Sequence, residues 1–151
     1  MSKIINLNAD LGESFGAWNM GADRELLQSV GSANVACGFH AGDPLVMRNT
    51  LRLAKAAGVS VGAHPSFPDL QGFGRRRMQI DPAELEALLL YQIAALDGMA
   101  RTEGLRVGHV KAHGALSNMA CADLALARIV AGAVKAYDPA LILLAPALSC
   151  L

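Results

Sequence analysis

Polar side chains that could carry acid–base or metal chemistry follow the apolar runs of this sequence in a regular order. Asp10 follows the first run, His40 the second, His64 the third and His113 the fourth. Carboxylates and imidazoles can move protons, stabilise developing charge or bind a divalent cation. Because the carboxyl ends of parallel strands lie on one side of a sheet, residues this far apart in sequence can meet at one pocket. The pattern therefore predicts a site built from four strand ends.

Each of these residues also has a purely structural interpretation. A single histidine at a strand end is more often a hydrogen-bonding partner than a catalyst, but three in register favour a functional site. Asp10 could cap a turn, and Asp43 is a predicted helix N-cap. His109 and Cys37 lie inside apolar runs and are predicted to belong to the core, Cys37 because no neighbouring charge would lower its pKa.

Two further segments carry candidate binding residues. Residues 65–77, PSFPDLQGFGRRR, are too long and too rich in glycine, proline and aromatic residues for a plain connector, and we expect an active-site lid. Arg75 directly follows the Gly-Phe-Gly turn in this segment and is predicted to bind an anion such as phosphate or carboxylate. In residues 109–118, HVKAHGALSN, strand alternation places Lys111 and His113 on the same side.

The elements that must position these residues alternate between strand and helix. Strands are predicted at residues 4–10, 33–39, 59–64, 106–113 and 141–146. Helices are marked by Asp43 with Pro44, by Asp81 with Pro82, and by an apolar face within residues 126–134. This alternation predicts an α/β fold with a parallel sheet, either an open doubly wound sheet or a (β/α) barrel. A complete TIM-like barrel needs roughly 250 residues. If the fold is a barrel, we expect residues 1–151 to form one barrel domain that is truncated after about five strands.

Composition and charge argue against several classes of partner. The chain of 151 residues is 53% hydrophobic and balances 13 basic against 13 acidic residues, so it has no basic surface suited to nucleic acid or to an anionic membrane. No run of eighteen apolar residues and no signal peptide are apparent, which favours a cytoplasmic protein with small polar ligands. The three cysteines form no Cys-x-x-Cys pair and are expected to be reduced.

Four motifs resemble those of the LamB/YcsF family, and within it the group of ATP-hydrolysing 5-oxoprolinase A subunits. They are LNADLGESFG at residues 7–16, ANVACGFHAGDP at 33–44, GAHPSFPDLQGFGRR at 62–76 and HVKAHGAL at 109–116. The family usually reads His-Val-Lys-Pro-His-Gly-Ala-Leu-Tyr-Asn in the last motif, where this chain has Ala112 for the proline and Ser117 for the tyrosine. Ser117 would remove an aromatic contact.

The resemblance implies a TIM-like barrel of the glycoside hydrolase/deacetylase type and ATP-dependent hydrolysis of the lactam 5-oxo-L-proline to L-glutamate. The chain would be one subunit of a complex with two other subunits. A lactam carbonyl is a poor electrophile, so ATP is expected to phosphorylate the amide oxygen before water attacks the ring carbon.

Site residues follow from the same resemblance. Asp10 and His64 would act as general acid and base or orient water, His40 and His113 would stabilise developing charge, and Lys111 or Arg75 would neutralise phosphate. The full assignment is Asp10, His40, His64 and His113 for catalysis, Asn8, Glu13, Asp43, Lys111 and Asn118 for substrate binding, and Arg75 for the nucleotide or another anion.

Two other functions stay open at this point. The family is also similar in fold to sugar-deacetylase barrels, so Asp10, His40 and His64 could hold a divalent metal that activates water for simple amide hydrolysis. A lactam-binding subunit that performs no chemistry is the second alternative. The sequence leaves open whether a metal is bound, which subunit binds ATP and whether the protein forms a homo-oligomer.

Overall fold

A computed structural model of the protein describes residues 5–151, which form a five-stranded parallel sheet with helices between the strands. The strands are β1 (Asn8–Leu11), β2 (Ser32–Ala36), β3 (Ser60–His64), β4 (Val107–Val110) and β5 (Ile142–Leu143). The helices are α1 (Asp23–Leu26), α2 (Pro44–Ala57), α3 (Pro82–Thr102), α4 (Gly114–Ala122) and α5 (Leu124–Tyr137). Each strand pairs in parallel with the next, in the order β1-β2-β3-β4-β5. This is the strand order of a (β/α) barrel, whereas the order reverses within a doubly wound sheet.

The two best-marked helices begin where the sequence predicts. Asp43 accepts hydrogen bonds from the amides of Leu45 and Val46 at the start of α2, and Gly58 ends that helix with a left-handed φ of 67°. Asp81 caps α3 in the same way. Side-chain caps satisfy backbone amides that have no partner within the helix, which explains why these residues mark helix starts reliably.

Strand boundaries differ from the predicted ones. Ile4, where the first predicted strand begins, lies outside the described residues, and Asp10 lies within β1 instead of after it. β4 ends at Val110, so Lys111 and His113 lie beyond the strand. Their amides still donate to the carbonyls of Ala63 and Pro65, and the chain therefore continues alongside β3 without a regular ladder. β5 has two residues, because only His109 and Val110 pair with it.

Helix α4 was not predicted; the sequence pattern indicates only a turn at Gly114. The segment has no N-terminal start signal, since His113 at its N-cap makes no capping hydrogen bond through its side chain. Asp123 then caps α5 by accepting from the amides of Ala125 and Leu126. The helix predicted from the apolar face within residues 126–134 is therefore α5, and α4 is an additional helix packed against it.

The interior of the sheet contains polar as well as apolar side chains. His109 is buried as predicted, and its ring lies so close to Gly62 that a Cβ added at position 62 would overlap ring atom Cδ2. His109 Nε2 is 2.9 Å from Asn34 Oδ1, and Asn34 is fully buried. The apolar core lies between the sheet and helices α2, α3 and α5.

Within residues 5–151, no helix is long and apolar enough to span a membrane.

Candidate active site

Three imidazole rings pack together at the carboxyl end of the sheet. His40, His64 and His113 are all buried. The rings of His40 and His113 are stacked, with centroids 3.7 Å apart and planes 6° from parallel. The ring of His64 is perpendicular to both, at centroid distances of 5.4 Å from His40 and 4.8 Å from His113. Residues at the ends of three strand segments thus form one compact cluster, as the parallel arrangement predicts.

Backbone carbonyls fix which nitrogen carries the proton in two of these rings. His64 Nδ1 is 2.6 Å from the carbonyl oxygen of Lys111, and His113 Nε2 is 2.9 Å from that of Phe73. A carbonyl oxygen can only accept, so each of these nitrogens is the donor. The remaining nitrogens, His64 Nε2 and His113 Nδ1, face each other at 3.0 Å.

Glu13 brings a carboxylate to the same point. Its Oε1 is 3.1 Å from His40 Nε2 and 3.7 Å from His113 Nδ1. One ligand atom from each of Glu13, His40, His64 and His113 lies within 4.8 Å of the others. Among the described residues, the buried Nδ1 of His40 has no hydrogen-bond partner. The four side chains therefore form a cluster that could hold a cation.

Burial keeps two of the rings neutral at physiological pH. Burial lowers the pKa of His113 to about 4, with a further lowering by the charges of His40 and His64 if they are protonated. Burial likewise lowers the pKa of His40, although the neighbouring Glu13 carboxylate acts in the opposite direction. Neutral imidazole is the form that binds metals and accepts protons.

Asp10 forms a second polar group beside the imidazoles. Lys111 Nζ donates to Asp10 Oδ1 at 2.7 Å, Asn34 Nδ2 donates to the same oxygen at 2.6 Å, and Asp10 Oδ2 is 3.5 Å from His64 Nε2. Burial acts to raise the pKa of Asp10, but the charge of His64 when its ring is protonated, together with the hydrogen bonds from Lys111 and Asn34, outweighs it and holds the pKa well below its usual range. Asp10 is therefore a permanent carboxylate next to His64.

Sequence reasoning did not identify Asn34 as part of this region. Its side chain contacts Asp10, His109 and Asn8, whose Nδ2 is 3.1 Å from Asn34 Oδ1. The sequence does carry a signal, since Asn34 is a lone amide within the apolar run ANVACGF. Buried amides are retained where they satisfy several polar partners at once. The buried Asn34 thus fixes the position of the Asp10 carboxylate by donating a hydrogen bond to it.

The loop of residues 65–77 forms a wall of the site and is anchored to it. Phe73, with a positive φ of 55°, supplies the carbonyl that binds His113 and lies edge-on to the rings of His40 and His113. The carbonyl of Gly74 accepts a hydrogen bond from the amide of Ala115. The buried Asp69 pairs with Arg76 and accepts from the amide of Gly72. Whether this segment also moves as a lid stays a prediction.

The structure does not bring all predicted site residues into the cluster. The guanidinium of Arg75 is exposed and lies 5.5 Å from the centroid of the Phe73 ring, next to the cluster. Asp43 caps α2 with one carboxylate oxygen and binds the amide of Gly16 with the other, which ties two loops together. Asn118 is exposed on α4 and, within residues 5–151, makes no side-chain hydrogen bond to the cluster. Cys37 is core, as predicted, and burial raises the pKa of its thiol to about 12.

An apolar depression leads to the cluster. Glu13 and His40 line it together with Phe15, Trp18 and Phe73. Phe15 and Trp18 exchange two backbone hydrogen bonds of 2.9 Å, and the Trp18 side chain is 70% exposed. A small ligand can therefore approach the Glu13 side of the cluster from solvent.

A profile of the LamB/YcsF family matches residues 5–151. The chain belongs to the LamB/YcsF family. This assignment confirms the resemblance inferred from the four motifs.

Relatives of this LamB/YcsF chain include several proteins that are named as the A subunit of 5-oxoprolinase. The one from Azoarcus sp. is 71% identical over 145 residues, which make up 96% of this chain and 57% of the relative. The one from Methylococcus capsulatus is 60% identical and is matched over 97% of this chain and 56% of its own length. This chain therefore spans a little over half the length of these relatives.

A solved structure of the family has the same fold. The crystal structure of the lactam utilization protein from Thermus thermophilus matches 96% of this chain and 59% of its own chain, with a TM-score of 0.94 and 54% sequence identity. The predicted α/β fold with a parallel sheet is thus confirmed.

Proposed function

We propose that this LamB/YcsF chain contributes to hydrolysis of the lactam 5-oxo-L-proline to L-glutamate, as part of the A subunit of an ATP-dependent 5-oxoprolinase. The names and high identities of its relatives support the substrate and the division into subunits. The observation that carries the proposal is the convergence of three buried imidazoles with the carboxylates of Glu13 and Asp10. Such a set can both move protons and stabilise charge during amide cleavage.

The residues of the cluster suit successive parts of this reaction. ATP would phosphorylate the lactam oxygen and release ADP. Water would then attack the ring carbon, and the ring C–N bond would break with protonation of the nitrogen, which leaves an acyl phosphate. A second water would hydrolyse this acyl phosphate to the carboxylate and inorganic phosphate. His64, next to the permanent carboxylate of Asp10, is placed to take a proton from the attacking water. Lys111 and the exposed Arg75 would neutralise phosphate oxygens. Whether ATP binds to this chain or to another subunit is part of what must be tested.

The direct test is an assay of glutamate release with the purified protein, the two candidate partner subunits and ATP. We expect turnover only when ATP and all subunits are present. Replacement His64→Ala should abolish turnover, while circular dichroism and thermal melting show a folded protein. Turnover that proceeds equally well without ATP would contradict the ATP-dependent mechanism, and unchanged turnover in the variant would exclude His64 from the chemistry.

Two alternatives give different results in the same assay. A metal-dependent amide hydrolase would lose activity with a chelator and ignore nucleotide, and the facing nitrogens of His64 and His113 favour a cation at this site. A lactam-binding subunit would bind 5-oxoproline in calorimetry and show no turnover, even with the other subunits and ATP. The three functions can therefore be separated by adding chelator, ATP and partner subunits one at a time.

A further inference from the structure

Two unprotonated ring nitrogens face each other in the centre of the cluster. His64 and His113 each donate their other ring N–H to a backbone carbonyl. In the neutral rings, His64 Nε2 and His113 Nδ1 therefore both carry lone pairs, and they are only 3.0 Å apart. Two acceptors at hydrogen-bond distance repel each other unless a positive charge lies between or beside them. The arrangement thus requires either a proton or a cation.

The geometry of the two rings fits a metal ion. Metal-binding histidines commonly donate the second ring N–H to a backbone carbonyl or carboxylate, which is the arrangement of both rings here. Two nitrogens that each lie about 2.1 Å from one ion are about 3.0 Å apart at the right angle of octahedral coordination and about 3.4 Å apart at the tetrahedral angle. The observed distance is 3.0 Å, which matches the octahedral arrangement. Glu13 Oε1 lies 3.7 Å from His113 Nδ1 and adds a negative ligand.

His40 belongs to the cluster in a different role. Its ring is stacked on that of His113 with a 6° angle between planes. Because a metal binds in the plane of an imidazole ring, one ion cannot lie in both of two stacked, parallel planes. His40 Nε2 instead contacts Glu13 Oε1 at 3.1 Å and can hold this carboxylate toward His113.

We propose that Glu13 Oε1, His64 Nε2 and His113 Nδ1 bind a divalent transition-metal cation and that His40 positions Glu13. This set differs from the Asp10, His40 and His64 set expected from the sequence. Imidazole and carboxylate ligands suit ions such as Zn²⁺, Co²⁺ or Mn²⁺. The chemical use of the ion rests on the proposed function: it would polarise the lactam carbonyl or activate water, in place of proton transfer by His64, whose Nε2 would be bound to it.

Cobalt binding tests the site without lactam, ATP or turnover. Co²⁺ should give visible absorption bands on titration into the purified protein, and calorimetry should give saturable binding of one ion per chain. The background is Cys121→Ser with Cys150→Ser, because these two thiols are not fully buried and could bind cobalt. Variants His113→Gln, His64→Gln and Glu13→Gln should each weaken binding by at least about 100-fold, since loss of an outer partner alone costs about 10–100-fold.

Further variants separate ligands from positioning residues. His40→Leu should weaken cobalt binding by about 10–100-fold, and His40→Gln, which keeps a donor for Glu13, should recover part of that loss. Glu103→Gln changes a carboxylate that pairs with Arg48 and Arg52 outside the set and should leave binding unchanged. Absence of saturable binding, or binding that persists in both His64→Gln and His113→Gln, would overturn the proposal. Such a result would leave the lactam assay untouched, so the two failures are distinguishable.

Discussion

Backbone carbonyls decide the chemistry of the individual histidines in this protein. The carbonyls of Lys111 and Phe73 take up one N–H of His64 and one of His113, so the free nitrogens of both rings point into the cluster. Asp10 Oδ2 lies 3.5 Å from His64 Nε2, and Glu13, which lines the apolar depression, has its Oε1 3.7 Å from His113 Nδ1. We therefore expect activity to depend more on the negative charge of Glu13 than on the shape of its side chain or its ability to accept hydrogen bonds.

Replacement Glu13→Gln tests this at the level of one side chain. The amide keeps the shape but removes the negative charge, and we expect the rate of glutamate release to fall by about 10²–10⁴-fold. The matched control is Glu103→Gln, which alters a carboxylate that pairs with Arg48 and Arg52 outside the cluster. This control should retain activity. Equal rates for Glu13→Gln and the unmodified protein would show that the carboxylate has no part in the reaction.

Strands β3 and β4 fit together because a glycine faces a histidine. The ring of His109 occupies the space that a side chain at position 62 would need, and the pairing is irregular between Val61 and Gly62. His109 in turn binds Asn34, which holds Asp10. The packing between two strands thus supports the acidic side of the candidate site.

Replacement Gly62→Ala should therefore destabilise the sheet. The new methyl group would overlap the His109 ring, and overpacking of this kind costs about 1–3 kcal/mol. In contrast, Gly98→Ala within α3 meets open space and should stabilise the protein by about 0.5–1 kcal/mol, because alanine is the better helix former. Urea denaturation of both variants measures the difference. A Gly62→Ala protein as stable as Gly98→Ala would contradict the packing argument.

Over the whole molecule, a buried carboxylate connects three elements. Asp97 on α3 accepts hydrogen bonds from Tyr137 on α5 at 2.8 Å and from Arg101 at 2.8 Å, and it lies near the amide of Val107 at the start of β4. Burial acts to raise the pKa of Asp97, but the hydrogen bonds from Tyr137 and Arg101 outweigh it and lower the pKa below its ordinary value.

That residues 1–151 form one barrel domain stays a prediction.

Asp97 should make global stability depend on pH in the acid range. Because the pKa is lower in the folded state, ionised Asp97 stabilises the fold above the ordinary aspartate pKa, and this contribution disappears as the pH falls through the folded-state value. At neutral pH, Asp97→Asn should lower the free energy of unfolding by about 1–3 kcal/mol. The gap between the two proteins should narrow as the pH falls below about 4. Urea denaturation between neutral and acid pH measures this gap. Tyr137→Phe should show a smaller loss, and a gap independent of pH would contradict the argument.

Part of this structure was predictable from local signals. The starts of α2 and α3 follow from Asp43 and Asp81 with their prolines, because capping is a contact between neighbours in sequence. Helix α4 has no such cap and was missed. The convergence of Asp10, His40, His64 and His113 was predictable as well, since it requires only that parallel strands end on one side of a sheet.

The amino-acid sequence by itself determined the alternation of strands and helices, the family and the residue types available at the carboxyl end of the sheet. Only the tertiary structure decided which nitrogens of His64 and His113 are free and that His40 stacks on His113. It also decided that the Glu13 carboxylate lies 3.7 Å from His113 Nδ1. The physical reason is that strand and helix signals are local, whereas ring orientation and proton position depend on carbonyls and side chains contributed by distant parts of the chain.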